Sequence, residues 1–140
     1  MLIKNTQARS FVVIMVVIAL SALLLRIAIE KIIEVTTTQN EALAQSTLKS
    51  IAVALDNYAR DNQGIYPKSI SILSQSKPRY LDKDYVTQSP IKGYSYSCGR
   101  LDASGYSCYA FPIKCRLTGK VAFIVTTGNL LISEDCNKKE

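Results

Sequence analysis

The sequence predicts an α+β protein in which a long N-terminal helix packs on a small antiparallel β-sheet. Three observations support this prediction. An uncharged apolar run lies near the start of the chain, an amphipathic helical pattern follows it, and strand-like segments with four cysteines fill the second half. Once the apolar run is set aside, about 100 residues remain, enough for one domain with a modest core.

The first helix is predicted to be apolar and membrane-spanning over residues 11–33. Residues 11–25 carry no charge, and at 1.5 Å per residue they cover about 22 Å of a hydrocarbon layer near 30 Å thick. The helix can complete the span by continuing past Arg26 and Glu30, because side chains four residues apart on a helix can form an ion pair.

A basic leader, residues 1–10, precedes this helix. Its Lys4 and Arg9 predict an anchor whose C-terminal part lies outside the cytoplasm. A cleaved secretion signal would need small residues after the apolar run, but the one suitable set, Ala19-Leu20-Ser21, lies inside it. The sequence therefore favours a retained anchor, and a secreted protein freed by signal cleavage stays as an alternative.

The helical pattern continues as an amphipathic helix over residues 34–63. A β-branched and polar stretch at residues 35–40 is a weak point by helix propensity. Beyond it, apolar side chains recur at steps of three and four residues: Leu48, Ile51, Ala52, Leu55, Tyr58 and Ala59. The run Asp61-Asn62-Gln63-Gly64, with Pro67 beyond it, predicts the end of the helix.

The remaining residues, 64–140, predict a loop and an antiparallel sheet of three or four strands. The strand-like segments are residues 93–98, 105–115, 120–127 and 130–135. The first two are separated by residues 99–104 and predict a hairpin. A sheet of this size is marginal alone, so we expect the amphipathic helix to cover one face and disulfides to close the C-terminal loops.

The cysteines are Cys98, Cys108, Cys115 and Cys136. An even number at one end of a chain with an export-like start predicts two disulfides in an oxidising compartment. Structural zinc and thioredoxin-like redox sites are disfavoured because no C-x2-C pair and no His is present. Three pairings are open; we prefer neighbour pairing, Cys98 with Cys108 and Cys115 with Cys136, because it brackets one hairpin loop and ties down the tail.

Charge and composition narrow the functional classes. The net charge of +6 is dispersed along the chain, which permits a nucleic-acid partner but provides no Arg-rich stripe for one. Without His, catalysis would need Lys or paired carboxylates, and Asp82 and Asp84 around Lys83 are typical of a solvated turn. We therefore expect neither enzymatic activity nor a cofactor.

The segment LKSIAVALDNYARDNQGIYPKSISIL, with the basic leader and the apolar run from Phe11, resembles type IV pilins and the pseudopilins of type II secretion. In those families ALxxYxxDNGxYP followed by SLxxL marks the helix end and the loop into the sheet. The matching residues here are Leu55, Tyr58, Asp61, Asn62, Gly64, Tyr66, Pro67, Ile70 and Leu73, with Tyr80 and Leu81 also in place. The resemblance covers the chain from Phe11 to about Tyr96.

This resemblance implies a pilin-like fold and cleavage between Ser10 and Phe11 by a prepilin peptidase. The chain departs from the family at three positions: Ser10 replaces the usual Gly, Met15 replaces the usual filament Glu, and Ser89 stands where pseudopilins offer an Asp. No acidic cluster surrounds Ser89, so a calcium site is not expected. The implied partners are other pilin or pseudopilin subunits and an inner-membrane assembly platform.

The residues themselves also favour assembly. A spanning helix under a small disulfide-braced sheet leaves little room for a pocket, while Ala19, Ser21 and Ala22 permit close approach of like helices. We expect a structural subunit anchored in the inner membrane, with its C-terminal part in the periplasm or equivalent space. The alternatives are an anchor that never polymerises, a fibre-tip or surface module that binds DNA or another ligand, and a secreted disulfide-rich protein.

Overall fold

A computed structural model describes residues 3–138, with side chains from Ala8 onward, so most of the predicted leader's side chains lie outside the described part. The elements are helices α1 (Ile3–Asp61) and α2 (Ile70–Gln75) and strands β1 (Tyr94–Asp102), β2 (Gly105–Pro112), β3 (Val121–Thr126) and β4 (Leu130–Asp135). The strands form one antiparallel sheet in the order β1-β2-β3-β4. The predicted α+β architecture is confirmed, with four strands.

The chain divides into two compact units, Met1–Val35 and Thr36–Glu140, and we call the second unit the head. Helix α1 continues through the boundary, although residues 35–40 have poor helix propensity. It also begins at Ile3, before the predicted start at Phe11. Residues 3–10 contain neither Gly nor Pro, the two residues that most disfavour a helix, so the leader can extend the apolar helix.

The C-terminal part of α1 forms one side of the head's core. The predicted apolar stripe is confirmed, since Leu48, Ile51, Ala52, Leu55 and Ala59 are buried and Tyr58 is half-buried. The helix ends at Asp61, at the start of the predicted stop Asp61-Asn62-Gln63-Gly64 and two residues before the predicted boundary at residue 63. Gln63 and Gly64 adopt left-handed φ angles of 60° and 82°, and the Gly64 N–H donates to the Ala59 carbonyl at 2.7 Å, which satisfies a carbonyl at the helix end.

The other side of the core is one face of the sheet. Its buried side chains are Tyr94, Tyr96, Tyr106, Cys108, Ala110, Phe123 and Val125. The loop between α1 and the sheet adds Ile70, Leu73 and Leu81 to the same cluster. The head is therefore a two-layer unit, as expected when a small sheet has to bury one face against a helix.

The first hairpin differs from its predicted form. The predicted loop at residues 99–104 is mostly strand, because β1 continues to Asp102 through a bulge between Cys98 and Arg100. The Asp102 carboxylate accepts hydrogen bonds from the backbone N–H groups of Ser104 (2.9 Å) and Gly105 (3.1 Å), which closes a tight turn.

The second strand is also shorter than predicted. Strand β2 ends at Pro112, which has no N–H with which to extend a ladder. Cys115 therefore lies in the loop between β2 and β3 rather than in a strand. This loop is anchored to the turn before β1, because the Ile113 N–H donates to the Gly93 carbonyl at 2.9 Å.

Candidate functional site

The largest candidate surface is the apolar rod, which we define as residues 11–25 of α1. The exposed large apolar side chains from Phe11 to Ile32 each have between 49% and 67% of their surface accessible to solvent. Among the described residues, α1 from Ala8 onward is the one helix long and apolar enough to cross a membrane. The rod therefore presents an apolar surface on all sides.

The residues that the resemblance singled out lie on this helix. Ser10 and Phe11 are consecutive, exposed and fully helical, and Met15 is 54% exposed one turn further on. Phe11 and Met15 share a face because they are four residues apart. The cysteines lie in the head, so the structure does not bring the predicted site residues together into one site.

Among the described residues, charges flank the rod, with Arg9 before it and Arg26 directly after it. The Arg26 Nε donates to Glu30 Oε1 at 3.2 Å, which confirms the predicted pairing, and Lys31 pairs with Glu34 at 3.0 Å. Arg26 and Glu30 keep 78% and 65% of their side-chain surface exposed. An ion pair this exposed to water contributes little to the stability of the helix. Both side chains remain accessible to a partner molecule.

The head contains tyrosine–aspartate clusters that the sequence analysis missed. Tyr66 and Tyr106 both donate hydrogen bonds to Asp56 Oδ1, each at 3.3 Å, and their rings meet edge-on with centroids 5.4 Å apart. Burial raises the pKa of Tyr106, and the nearby charge of Asp56 adds to the rise. This cluster joins the helix, the following loop and strand β2.

Two similar contacts fix the rest of the loop. Tyr80 donates to Asp61 at 2.7 Å and packs edge-on against Tyr58. Tyr85 donates to Asp82 at 2.9 Å, and burial together with this hydrogen bond raises the pKa of Tyr85 to about 12. Asp82 is exposed as predicted, but it holds a tyrosine rather than forming a simple solvated turn. The resemblance included Tyr58, Asp61 and Tyr80 without indicating that they touch.

These clusters place most of the aromatic side chains inside the head. Seven of the eight tyrosines belong to the core or pack against it; the exception, Tyr109, stacks on Phe111 with ring centroids 5.8 Å apart. They also engage the carboxylates of Asp56, Asp61 and Asp82. Within residues 36–138, the part of the head that is described, Arg100 with Asp102 is the one ion pair, so the other Lys and Arg side chains there have no carboxylate partner.

The cysteines form the disulfides Cys98–Cys108 and Cys115–Cys136, which is the neighbour pairing that we preferred from the sequence. Cys98 and Cys108 stand directly opposite each other on β1 and β2. Ligand atoms of Cys115, Asp135 and Cys136 lie within 4.8 Å of one another. Both sulfurs there belong to the disulfide, and zinc would need thiolates, so this group has no zinc-binding donor set.

A cavity of about 640 Å³ in the head lies between α1 and the loop and is lined by residues that include Ser46, Lys49, Ser50 and Asp82. The Ser50 hydroxyl donates to the Ser46 carbonyl within the helix, at 3.0 Å. Among the described residues, neither serine hydroxyl is hydrogen-bonded to Lys49 or to Asp82. The cavity therefore contains polar groups but no activated nucleophile.

A second, smaller cavity of about 320 Å³ lies on the sheet face away from α1, where Tyr109 and Phe111 stand beside Ala122 and Ile124.

Comparisons with protein-family models, with curated proteins and with solved structures found no match for this chain. Its function therefore has to be inferred from the chemistry of its own surfaces.

Proposed function

We propose that the chain is a membrane-anchored, pilin-like structural subunit of a type IV pilus or a type II secretion pseudopilus. The observation that carries the proposal is the apolar rod, whose side chains are exposed on all sides of a helix that continues into the core of a folded head. The head buries its own core without any residue of the rod. The rod is therefore available for lipid or for other rods.

Lipid and neighbouring helices are both apolar, so the closeness of side-chain packing determines whether the rod stays in lipid or associates with other rods. Helices associate in membranes where small side chains let their backbones approach closely. Ala19, Ser21 and Ala22 provide such positions in the rod. Assembly would move each rod from lipid into a bundle of like rods, so that the anchor also becomes the centre of the fibre.

The proposed partners follow from this role. They are other pilin or pseudopilin subunits, an inner-membrane assembly platform and a prepilin peptidase that cuts between Ser10 and Phe11. Lys4 and Arg9 favour an orientation with the head on the periplasmic or equivalent side. Two disulfides agree with that location, because disulfides persist in oxidising compartments.

The proposal is tested by Leu23→Arg in full-length chain. A charge at this position would cost about 3 kcal/mol in an apolar surrounding. We expect a loss of at least tenfold in the sheared fibre fraction of cells that carry the cognate machinery, and an unchanged urea midpoint of the head. Gln39→Arg, which adds the same charge at an exposed polar position of α1, is the matched control and should assemble normally.

A second variant covers the case in which Leu23→Arg fails to enter the membrane. Ala22→Leu keeps the rod apolar but fills a position at which helices could approach, so it should insert and resist carbonate extraction while assembling less well. Normal assembly of both variants would contradict the proposal.

Protein sequencing of the exported form then separates the remaining alternatives. A start at Phe11 supports the pilin pathway, a start at Met1 indicates an uncleaved anchor, and a start near Ala22 indicates a secreted protein. Only the last outcome removes the rod and would overturn the proposed role outright.

A binding role for the head is a second candidate, supported by its cations without carboxylate partners. Lys92, Lys114, Arg116 and Lys120 lie on segments that are joined by hydrogen bonds, including Ile113 N–H to the Gly93 carbonyl and Arg116 N–H to the Gly119 carbonyl. DNA binding by the full chain in neutral-lipid nanodiscs should then weaken steeply with salt. Absence of binding at low salt would dismiss this candidate.

A further inference from the structure

Arg26 and Glu30 mark the point where the rod stops being purely apolar. In the described part of the N-terminal unit, no charged side chain lies between Arg9 and Arg26. Arg26 lies fifteen residues beyond Phe11, or about 22 Å along the helix, so in a lone span of about 30 Å the pair lies in the outer part of the hydrocarbon layer, from which its long side chains can extend to the lipid headgroups and water. In a bundle of rods the same pair would be surrounded by apolar helices, where unpaired polar atoms are costly.

The ion pair within one helix leaves most of its hydrogen-bonding capacity unused. A guanidinium has five N–H donors and a carboxylate has two acceptor oxygens. The one hydrogen bond recorded for the pair joins Arg26 Nε to Glu30 Oε1. Both Nη groups of Arg26 and the Oε2 atom of Glu30 are therefore free among the described residues, and both side chains are largely exposed.

We propose that Arg26 of one copy pairs with Glu30 of a neighbouring copy and thereby sets the register between rods. This inference rests on the proposed function, because it needs rods that pack side by side. A second copy is the occupant that fits, since one chain supplies both halves of a complementary pair: free donors on Arg26 and a free acceptor on Glu30.

The geometry restricts the register. The two Cα atoms are four residues apart, or about 6 Å along the axis. Parallel rods that are offset by about this distance bring Arg26 of one level with Glu30 of the next, where a two-pronged guanidinium–carboxylate contact can form. The intrahelical contact can persist at the same time, because it uses only Nε and Oε1.

Exchange of charges between copies tests this pairing directly. Full-length chains that carry donor or acceptor fluorescent proteins at their C-termini are reconstituted in phosphatidylethanolamine–phosphatidylglycerol vesicles, and energy transfer reports association. Arg26→Glu places acidic side chains at both positions 26 and 30, and Glu30→Arg places basic side chains at both positions. Each variant alone should lose at least about tenfold in association, the effect of 1.4 kcal/mol. A mixture of the two should regain wild-type association.

Two controls make the result specific. The double variant Arg26→Glu/Glu30→Arg reverses both charges and should associate like the wild type. Lys31→Glu makes the same charge change as Arg26→Glu but breaks the neighbouring ion pair with Glu34. It should leave association within about twofold of the wild type. An equal loss in Lys31→Glu, or failure of the double variant, would overturn the inference.

The charged variants could fail to insert, which carbonate extraction of the vesicles would reveal. Arg26→Gln and Glu30→Gln then serve instead, and their mixture should associate at least about threefold better than either variant alone, because only mixed neighbours retain one Arg–Glu contact.

The outcomes also separate this inference from the proposed function. Absence of energy transfer between wild-type copies would count against assembly itself. Association of the wild type without recovery in either mixture would leave assembly standing and refute the pairing between copies.

Discussion

The hydroxyl of Tyr106 on strand β2 donates a hydrogen bond to Asp56 on helix α1 at 3.3 Å, across 50 positions of sequence. Tyr66, in the loop between these elements, donates to the same oxygen. One carboxylate therefore joins the three parts of the head. Its contact with Tyr66 holds the start of the loop between α1 and β1, which is more than thirty residues long and contains only the short helix α2.

We expect Asp56→Ala to destabilise the head by about 1–3 kcal/mol, because two tyrosine hydroxyls lose their acceptor in a half-buried site. Urea unfolding of the full chain in detergent micelles, followed by the near-ultraviolet circular dichroism of the tyrosines, measures the change. Glu134→Ala removes an exposed carboxylate on β4 and is the control. Equal midpoints for the two variants would show that the Asp56 contacts contribute nothing.

Stability should also fall at alkaline pH. Burial is the main cause that raises the pKa of Tyr94 and of Tyr106 above the ordinary value of 10.0. Above pH 10 the unfolded chain loses these phenolic protons while the folded head keeps them. The stabilisation is therefore complete below pH 10 and is lost as the pH rises toward the folded pKa values.

Urea midpoints measured between about pH 8 and about pH 11 test this expectation. Tyr106→Phe provides the comparison, since Phe cannot ionise and the fall in its midpoint with pH should be shallower. A fall of the same steepness in the wild type and in Tyr106→Phe would mean that other groups control the alkaline transition.

The two disulfides should differ in what their removal affects. They close loops with sequence separations of 10 and 21 residues. Because each bond reduces the entropy of the unfolded chain, we expect each to add about 3 kcal/mol to the free energy of unfolding. Cys98→Ala/Cys108→Ala should lower the free energy of unfolding by more than this amount, because Cys108 is also buried in the core. Cys115→Ala/Cys136→Ala should release mainly the β2–β3 loop and the tail.

Hydrogen exchange distinguishes these two results. In Cys115→Ala/Cys136→Ala, the Cys136 amide position, whose N–H donates to the Lys120 carbonyl, should lose protection while strands β1 and β2 keep theirs. Global loss of protection would instead show that the tail disulfide supports the whole sheet.

A methyl group at Gly119 should disturb the core. Gly119 is buried, and a Cβ added there would fall on the hydroxyl and ring of Tyr94, whose hydroxyl donates to the Val121 carbonyl at 2.6 Å. Tyr94 is fully buried, so its ring cannot shift without displacing neighbouring core side chains. We expect Gly119→Ala to cost about 1–3 kcal/mol through overpacking.

Gly128→Ala is the matched control for this variant. Its added Cβ would meet nothing within 4 Å, so its cost comes only from the left-handed φ of +87° and should be about 1 kcal/mol. Thermal melts of both variants, read by tyrosine circular dichroism, decide the matter. A larger loss in Gly128→Ala would contradict the packing at Tyr94.

The sequence by itself determined the features that repeat over short distances. Charge-free residues 11–25 identified the rod, the three- and four-residue spacing identified the buried face of α1, and Gly64 identified its end. The Arg26–Glu30 contact followed as well, because a helix fixes the separation of residues four apart.

Only the tertiary structure decided how distant polar groups meet. The continuation of β1 to Asp102 depends on a bulge and on turn hydrogen bonds that strand periodicity does not encode. Likewise, Asp56 looks like an ordinary polar position on an amphipathic helix until the folded chain brings Tyr66 and Tyr106 to it. Local spacing fixes directions along one element, whereas these contacts depend on how separate elements pack, which a pattern within one segment does not specify.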